Sequence, residues 1–220
     1  MLKSYFPPRF NTLAFIILLV LWLFNLKKLL IITGVIYLIL FILLRRSKND
    51  FREDSTTSRG VIFAPVNGRV VHIEPNISHA TIGEQYTEIQ IMLPLWKEMG
   101  IYLPYSCEVR DMHILKGHSF WRRKKMDEAL GTHEGKGISL TLDNKEDSII
   151  GMSFLKCKFG LWPEILVMPG DRGSRRVNIG FFPFGGTVVL YMPKKYEILI
   201  KENDEIVAQE TIVAMKPDQN

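Results

Sequence analysis

The spacing of apolar residues divides this chain into two unlike parts. From Leu13 to Phe24 the sequence reads LAFIILLVLWLF. After Asn25-Leu26-Lys27-Lys28 a second apolar run, LLIITGVIYLILFILL, extends from Leu29 to Leu44. Neither run alternates with polar residues, so the pattern predicts helices that are apolar on every face. Each run is shorter than the roughly 20 residues a membrane span usually takes. Residues 1–46 are therefore expected to form a membrane-associated helical hairpin. It either crosses as two short transmembrane helices, with Lys27 and Lys28 snorkelling at the tip, or lies shallow in the bilayer. A single long helix is the third alternative. No small-residue cleavage site precedes Arg45-Arg46, which argues against a removed leader. Lys3 and Arg9 at one end and Arg45, Arg46 and Lys48 at the other favour both ends on the cytoplasmic face. The two lysines at the tip weaken that bias.

Residues 47–60, SKNDFREDSTTSRG, are polar and without period, and read as a linker. Beyond them the period changes to two. VIFAPVNGRVVHIEP (61–75) predicts a strand, a turn and an alternating strand. Strands are also expected at 87–95, 136–144, 148–159, 187–193 and 196–215, the last with a turn at Asn203-Asp204. Helical signal is confined to one or two turns within 122–131. Short strands separated by turn residues predict a mainly β domain over 61–220, a sandwich or distorted barrel.

Composition narrows the function. Lys and Arg number 28 against 23 Asp and Glu, a net charge of +5. That excess is diffuse; it suits an anionic membrane surface and gives no nucleic-acid footprint. Cys107 and Cys157 lie far apart with no paired spacing, which fits a reducing compartment, and the five histidines form no metal-binding motif. No metal is expected. The cluster Trp121-Arg122-Arg123-Lys124-Lys125 reads either as a contact for anionic head groups or as a solvated loop. Gly170-Asp171-Arg172-Gly173-Ser174-Arg175-Arg176 precedes no helix, so it is expected to be a mobile loop and not a phosphate cradle.

One stretch carries chemistry by resemblance. Gly180-Phe181-Phe182-Pro183-Phe184-Gly185-Gly186-Thr187-Val188 resembles the C-terminal signature of the phosphatidylserine decarboxylases, small membrane-hairpin members included. Ala64-Pro65-Val66-Asn67-Gly68 resembles that family's Ser-Pro-Ala-Asp-Gly turn. IQIMLPLWKEMGIYLP (89–104) resembles the segment that carries the family's histidine, five residues before a proline; counting back from Pro104 reaches Met99. Lys116-Gly117-His118-Ser119-Phe120 resembles a Pro-Gly-x-Phe segment. The resemblance implies a β domain of that type behind the hairpin, set on a bilayer with a pocket toward phospholipid head groups. It also implies an Asp–His–Ser set that cuts the chain before the serine, which then becomes a pyruvoyl group.

At the matching positions this chain has Asn67, Met99 and Gly186. Asparagine has no charge to steady an imidazolium, methionine takes no proton at neutral pH, and glycine has no oxygen to attack with. A pyruvoyl cofactor and catalytic residues are therefore not expected. The expectation is a non-catalytic membrane protein that binds phospholipid or scaffolds a partner, as a homodimer or as a heterodimer with a related subunit. His118, Phe120, Arg122, Arg123, Lys124 and Lys125 are the candidate lipid contacts. The alternative is an active decarboxylase, forming phosphatidylethanolamine, that cleaves between Gly186 and Thr187. Thr187 would then be the nucleophile, and His113 or His118 its base.

Overall fold

The computed structural model describes residues 8–43, 60–79, 82–94, 96–117, 135–144, 148–158 and 160–217. The chain divides into two compact units, residues 1–50 and 51–220.

The first unit holds helix α1, Pro8–Leu23, and helix α2, Lys27–Leu43. Proline opens α1, where its missing N–H is no loss. Asn25 ends it in the left-handed region at φ 55°. The N–H of Leu26 bonds to the Leu21 carbonyl, and that of Asn25 to the Trp22 carbonyl, both at 3.0 Å. This pair of bonds satisfies carbonyls that the helix end would otherwise leave open. The two helices touch each other, so the expected hairpin is present. Its surface is apolar and open: Phe15, Trp22, Phe24 and Ile31 are more than 60% exposed. The transmembrane alternative is unsupported. At 16 and 17 residues the helices rise about 24–26 Å, short of the ~30 Å hydrocarbon layer. Among the described residues no helix is long and apolar enough to cross a membrane.

The second unit is β-structure throughout its described residues. Its strands are β1 (Val61–Phe63), β2 (Gly68–His79), β3 (Gly83–Leu93), β4 (Gly100–Tyr102), β5 (Cys107–Lys116), β6 (Lys136–Asn144) and β7 (Ser148–Lys156). They continue as β8 (Glu164–Ile165), β9 (Arg172–Gly173), β10 (Asn178–Phe181), β11 (Gly186–Pro193), β12 (Glu197–Ile198), β13 (Glu205–Ile206) and β14 (Ile212–Met215). Eight of them form one sheet in the order β13-β2-β3-β11-β7-β6-β5-β9. Two three-stranded sheets, β1-β14-β12 and β4-β10-β8, complete the unit. The large sheet does not close, so the barrel form of the expectation is set aside. The small sheets are tied together by the Phe63 N–H on the Pro104 carbonyl and the Tyr102 N–H on the Pro65 carbonyl, each 2.9 Å.

Register explains the core. Ile89, Leu190, Met152 and Leu140 lie side by side across four strands, and each is fully buried. The next row, Ile91, Val188 and Phe154, points the same way and is equally buried. The opposite face mixes apolar and polar groups: Val189 lies beside Ser153, whose hydroxyl donates to that of Ser139 at 2.9 Å, and Tyr191 beside Gly151. The turn at Asn203 is present, at φ 74°, with the Asp204 carboxylate accepting the Lys201 N–H at 2.8 Å. The 170–176 segment is no free loop. The Arg172 side chain meets Glu108 at 2.7 Å and the Arg175 N–H donates to the Ser106 hydroxyl at 3.0 Å.

Candidate functional site

The segment that leads into β11 is a tight turn. The Gly185 N–H donates to the Phe182 carbonyl at 3.0 Å, with Pro183 and Phe184 between them. Pro183 suits the first central position, whose φ its ring presets. The second needs positive φ, and Phe184 supplies it at 61°. A non-glycine residue there is disfavoured by about 1–3 kcal/mol, so its surroundings must hold it. The Met99 sulfur does part of this, accepting the Phe184 N–H at 3.2 Å. The Met99 carbonyl accepts the Phe182 N–H at 2.8 Å. Met99, 2% exposed, is thus a clamp on the turn, not a proton carrier.

Gly185 follows at φ 67°, and a Cβ there would meet the Leu93 carbonyl oxygen at 2.3 Å. Gly186 is the first residue of β11, paired with Leu93 on one side and Lys156 on the other. A Cβ on Gly186 would stand 2.4 Å from the tip of the Phe182 ring and 2.5 Å from the Leu155 carbonyl oxygen. Phe182 is fully buried and packs edge-on against Phe154 with ring centres 6.2 Å apart. The volume a side chain at 186 would need is already taken.

Asn67 sits in the turn between β1 and β2. Its carbonyl oxygen accepts the Ala208 N–H at 3.0 Å, and its amide nitrogen donates to the Glu98 carboxylate at 3.3 Å. The Tyr102 hydroxyl donates to the other oxygen of that carboxylate at 2.5 Å. The three singled-out positions are therefore joined by short contacts: Asn67 through Glu98 to Met99, and Met99 through the 182–184 turn to Gly186. Sequence reasoning missed Glu98. Its signal was its place next to Met99 in the segment before Pro104, but nothing in the spacing marked its carboxylate as Asn67's partner.

Thr187 is paired with Met92 and Leu155, so the Gly186–Thr187 bond lies within a ladder bonded on both sides. The proposed base His113 lies on β5, three strands from β11. At ~4.8 Å per strand that is about 14 Å, beyond proton-transfer reach of Thr187. His113 instead pairs with Asp111 at 2.9 Å. His118, Phe120, Arg122, Arg123, Lys124 and Lys125 lie outside the described residues, as does the helical signal at 122–131. The chain leaves β5 at Lys116 and re-enters at Lys136, which are paired neighbours.

The two cysteines differ. Cys107 is buried, and burial, with Asp143 adding to it, pushes its thiol up to about 12. Cys157 is half-buried beside the turn, its sulfur 3.9 Å from the Gly185 carbonyl oxygen. Burial also raises the Tyr105 phenol; its hydroxyl donates to the Leu142 carbonyl at 3.0 Å. Among the described residues no three His, Cys, Asp or Glu side chains gather as a metal site.

Residues 40–214 match the family model of phosphatidylserine decarboxylase. A phosphatidylserine decarboxylase proenzyme of Parabacteroides distasonis is 22% identical over 180 residues, covering 80% of this chain and 79% of its own length. Proenzymes of the same name from Geobacter metallireducens and Nitratidesulfovibrio vulgaris are each 25% identical. The first covers 76% of both chains, the second 84% of this chain and 83% of its own.

Proposed function

The chain belongs to the phosphatidylserine decarboxylase family, and we propose that within it this protein is non-catalytic, binding phospholipid or holding a partner protein at a membrane. The observation that carries the reading is the filled space at Gly186. Position 186 lacks a side-chain hydroxyl, and the Phe182 ring and Leu155 carbonyl occupy the room a serine would need. On this reading there is no pyruvoyl group, because the residues at the turn do not fit one: position 186 has no side-chain hydroxyl that could attack the preceding carbonyl and then leave by elimination, as forming the keto group would require. Met99 supports it too, since its sulfur is engaged with the Phe184 N–H.

The apolar helices of the first unit, with basic residues outside both ends, support membrane attachment with the β unit on the cytoplasmic face. Pairing with a second copy or with a related subunit belongs to the same reading.

Intact mass spectrometry tests it. A single chain of 25.4 kDa is expected. Two fragments split at 185–187, the smaller blocked by a keto group, would replace this reading with that of a self-processing decarboxylase. Flotation with vesicles containing or lacking phosphatidylserine then tests head-group recognition. Equal flotation would leave the partner-holding role.

A further inference from the structure

The turn between β1 and β2 holds the dipeptide Asn67-Gly68. An asparagine followed by glycine carries a reaction of its own. The backbone nitrogen of the second residue lies next to the side-chain carbonyl of the first, and glycine has no Cβ to obstruct their approach. The fold leaves no room for another residue after Asn67. A Cβ on Gly68 would stand 2.6 Å from the Ile91 side chain and 2.6 Å from the Met92 carbonyl oxygen. The packing of β2 on β3 therefore imposes the reactive pairing on this turn.

The Asn67 amide is held unevenly. Its oxygen accepts the Ala208 N–H at 3.0 Å. The loop around Ala208 fixes that donor. The Val207 N–H bonds to the Thr211 hydroxyl, the Gln209 N–H to the Ala64 carbonyl and the Ala64 N–H to the Thr211 carbonyl, each at 2.9 Å. A preorganised N–H on a carbonyl oxygen stabilises the negative charge that gathers there when a nucleophile adds. The amide nitrogen is gripped less firmly. Its contacts with the Glu98 carboxylate and the Glu98 carbonyl, at 3.3 and 3.4 Å, are both longer than an ordinary N–H···O bond. Asn67 is also only half-buried, so water has access to it. A fixed oxygen and a loosely held nitrogen favour addition at the carbon between them and departure of the nitrogen.

We propose that Asn67 is a self-modification site, at which the Gly68 nitrogen displaces the side-chain amide and the residue converts to aspartate and isoaspartate. The bond from the Gly68 nitrogen to Asn67 Cγ forms and the Cγ–Nδ2 bond breaks. Water carries the proton of the Gly68 nitrogen to the departing nitrogen, which leaves as ammonia. A second water opens the cyclic imide. Opening at the side-chain carbonyl leaves aspartate on a normal backbone; opening at the main-chain carbonyl leaves isoaspartate, with the chain routed through the former side chain. No oxidant or reductant takes part. Either product sets a second carboxylate against Glu98, where an amide now donates. Glu98 adjoins Met99, which holds the 182–184 turn, so the conversion loosens the link between the two turns. The proposal is independent of the non-catalytic reading, since it holds whether or not the chain is cut near Gly186.

The test keeps the full native chain at neutral and at mildly alkaline pH and maps its peptides by mass spectrometry over time. Asn76 and Asn203 are the internal references: both are exposed, both have positive φ, and no glycine follows either. The Asn67 peptide should pass from the amide to the acid mass at least about tenfold faster than theirs. The rate should rise with pH, because the attacking nitrogen must give up its proton. Isoaspartate, detected by an isoaspartate-specific methyl transfer, should accompany aspartate. Ala208→Pro removes the N–H on the Asn67 oxygen and should slow the conversion at least about threefold. Should that variant not fold, the unaltered chain unfolded in guanidinium loses the same contact and keeps the dipeptide; the native chain should convert no more slowly than it does. Asn67 converting no faster than Asn76 or Asn203, or faster unfolded than native, overturns the proposal. Aspartate without isoaspartate also overturns it, since water would then have attacked the amide directly.

Discussion

Putting a side chain back at position 186 tests the physical basis of the non-catalytic reading. Gly186→Ala adds one methyl group, and its two nearest obstacles differ in kind. One is the tip of the Phe182 ring at 2.4 Å; the other is the Leu155 carbonyl oxygen at 2.5 Å. The ring is fully buried and braced by Phe154, and the carbonyl belongs to β7, which is paired along β11 through six residues. Neither gives way without moving the centre of the sheet. Overpacking of this kind destabilises by about 1–3 kcal/mol, against which replacing glycine stiffens the unfolded chain by about 0.4–1 kcal/mol. Gly186→Ser adds a hydroxyl that must find a partner, about 1–3 kcal/mol more if it does not. The net expectation is a loss of roughly 1–2 kcal/mol for alanine and about 2–4 kcal/mol for serine. For a unit of this size that lowers the melting temperature by about 2–8 °C and 4–16 °C respectively. Thermal unfolding followed by circular dichroism measures both, and Gly186→Ser/Phe182→Leu, which removes the ring tip, should recover part of the serine loss. A Gly186→Ser chain as stable as the parent would refute the claim that this space is closed. So would one that splits into two fragments.

Other consequences follow from the same geometry. Asn67→Asp sets a carboxylate against Glu98 where an amide now donates to it at 3.3 Å, so about 1–2 kcal/mol of stability should be lost at neutral pH. The loss should shrink as pH falls through the carboxylate range, because protonating either group removes the repulsion; urea midpoints that do not depend on pH would contradict this. The Cys107 thiol is raised from 9.0 to about 12 in the fold, so folding favours its protonated form. Its contribution is complete below about 9 and should fall by roughly 1.4 kcal/mol per pH unit between 9 and 12, a slope that Cys107→Ala should flatten. In the native state an alkylating reagent should label Cys157 first, and peptide mapping that found Cys107 labelled equally fast would show the site is less protected than its burial implies. Thr187→Ala should leave the intact mass pattern unchanged apart from the substitution itself. A parent chain that is cleaved, and a Thr187→Ala chain that is not, would establish Thr187 as a nucleophile.

Local pattern alone determined most of the long elements. Two apolar runs around Asn25 gave the helical pair, because a run with no polar face and a residue that tolerates positive φ needs no distant partner to define it. The alternation at 136–144 and the unbroken β-prone run at 187–193 gave β6 and most of β11 for the same reason. Strand β5, with Arg110, Asp111 and His113 among its residues, was not foreseen, since its identity comes from pairing with β6. The short strands β4, β8, β9 and β10 are likewise defined only by what lies beside them. At the site, the sequence alone shows that positions 67, 99 and 186 hold an amide, a thioether and no side chain. Three things came from tertiary structure: the Phe182 ring and Leu155 carbonyl in the space at Gly186, Met99 holding the turn, and Glu98 as Asn67's partner. Each depends on atoms brought together from distant stretches of chain, and those distances are set by register and packing, which no single segment encodes.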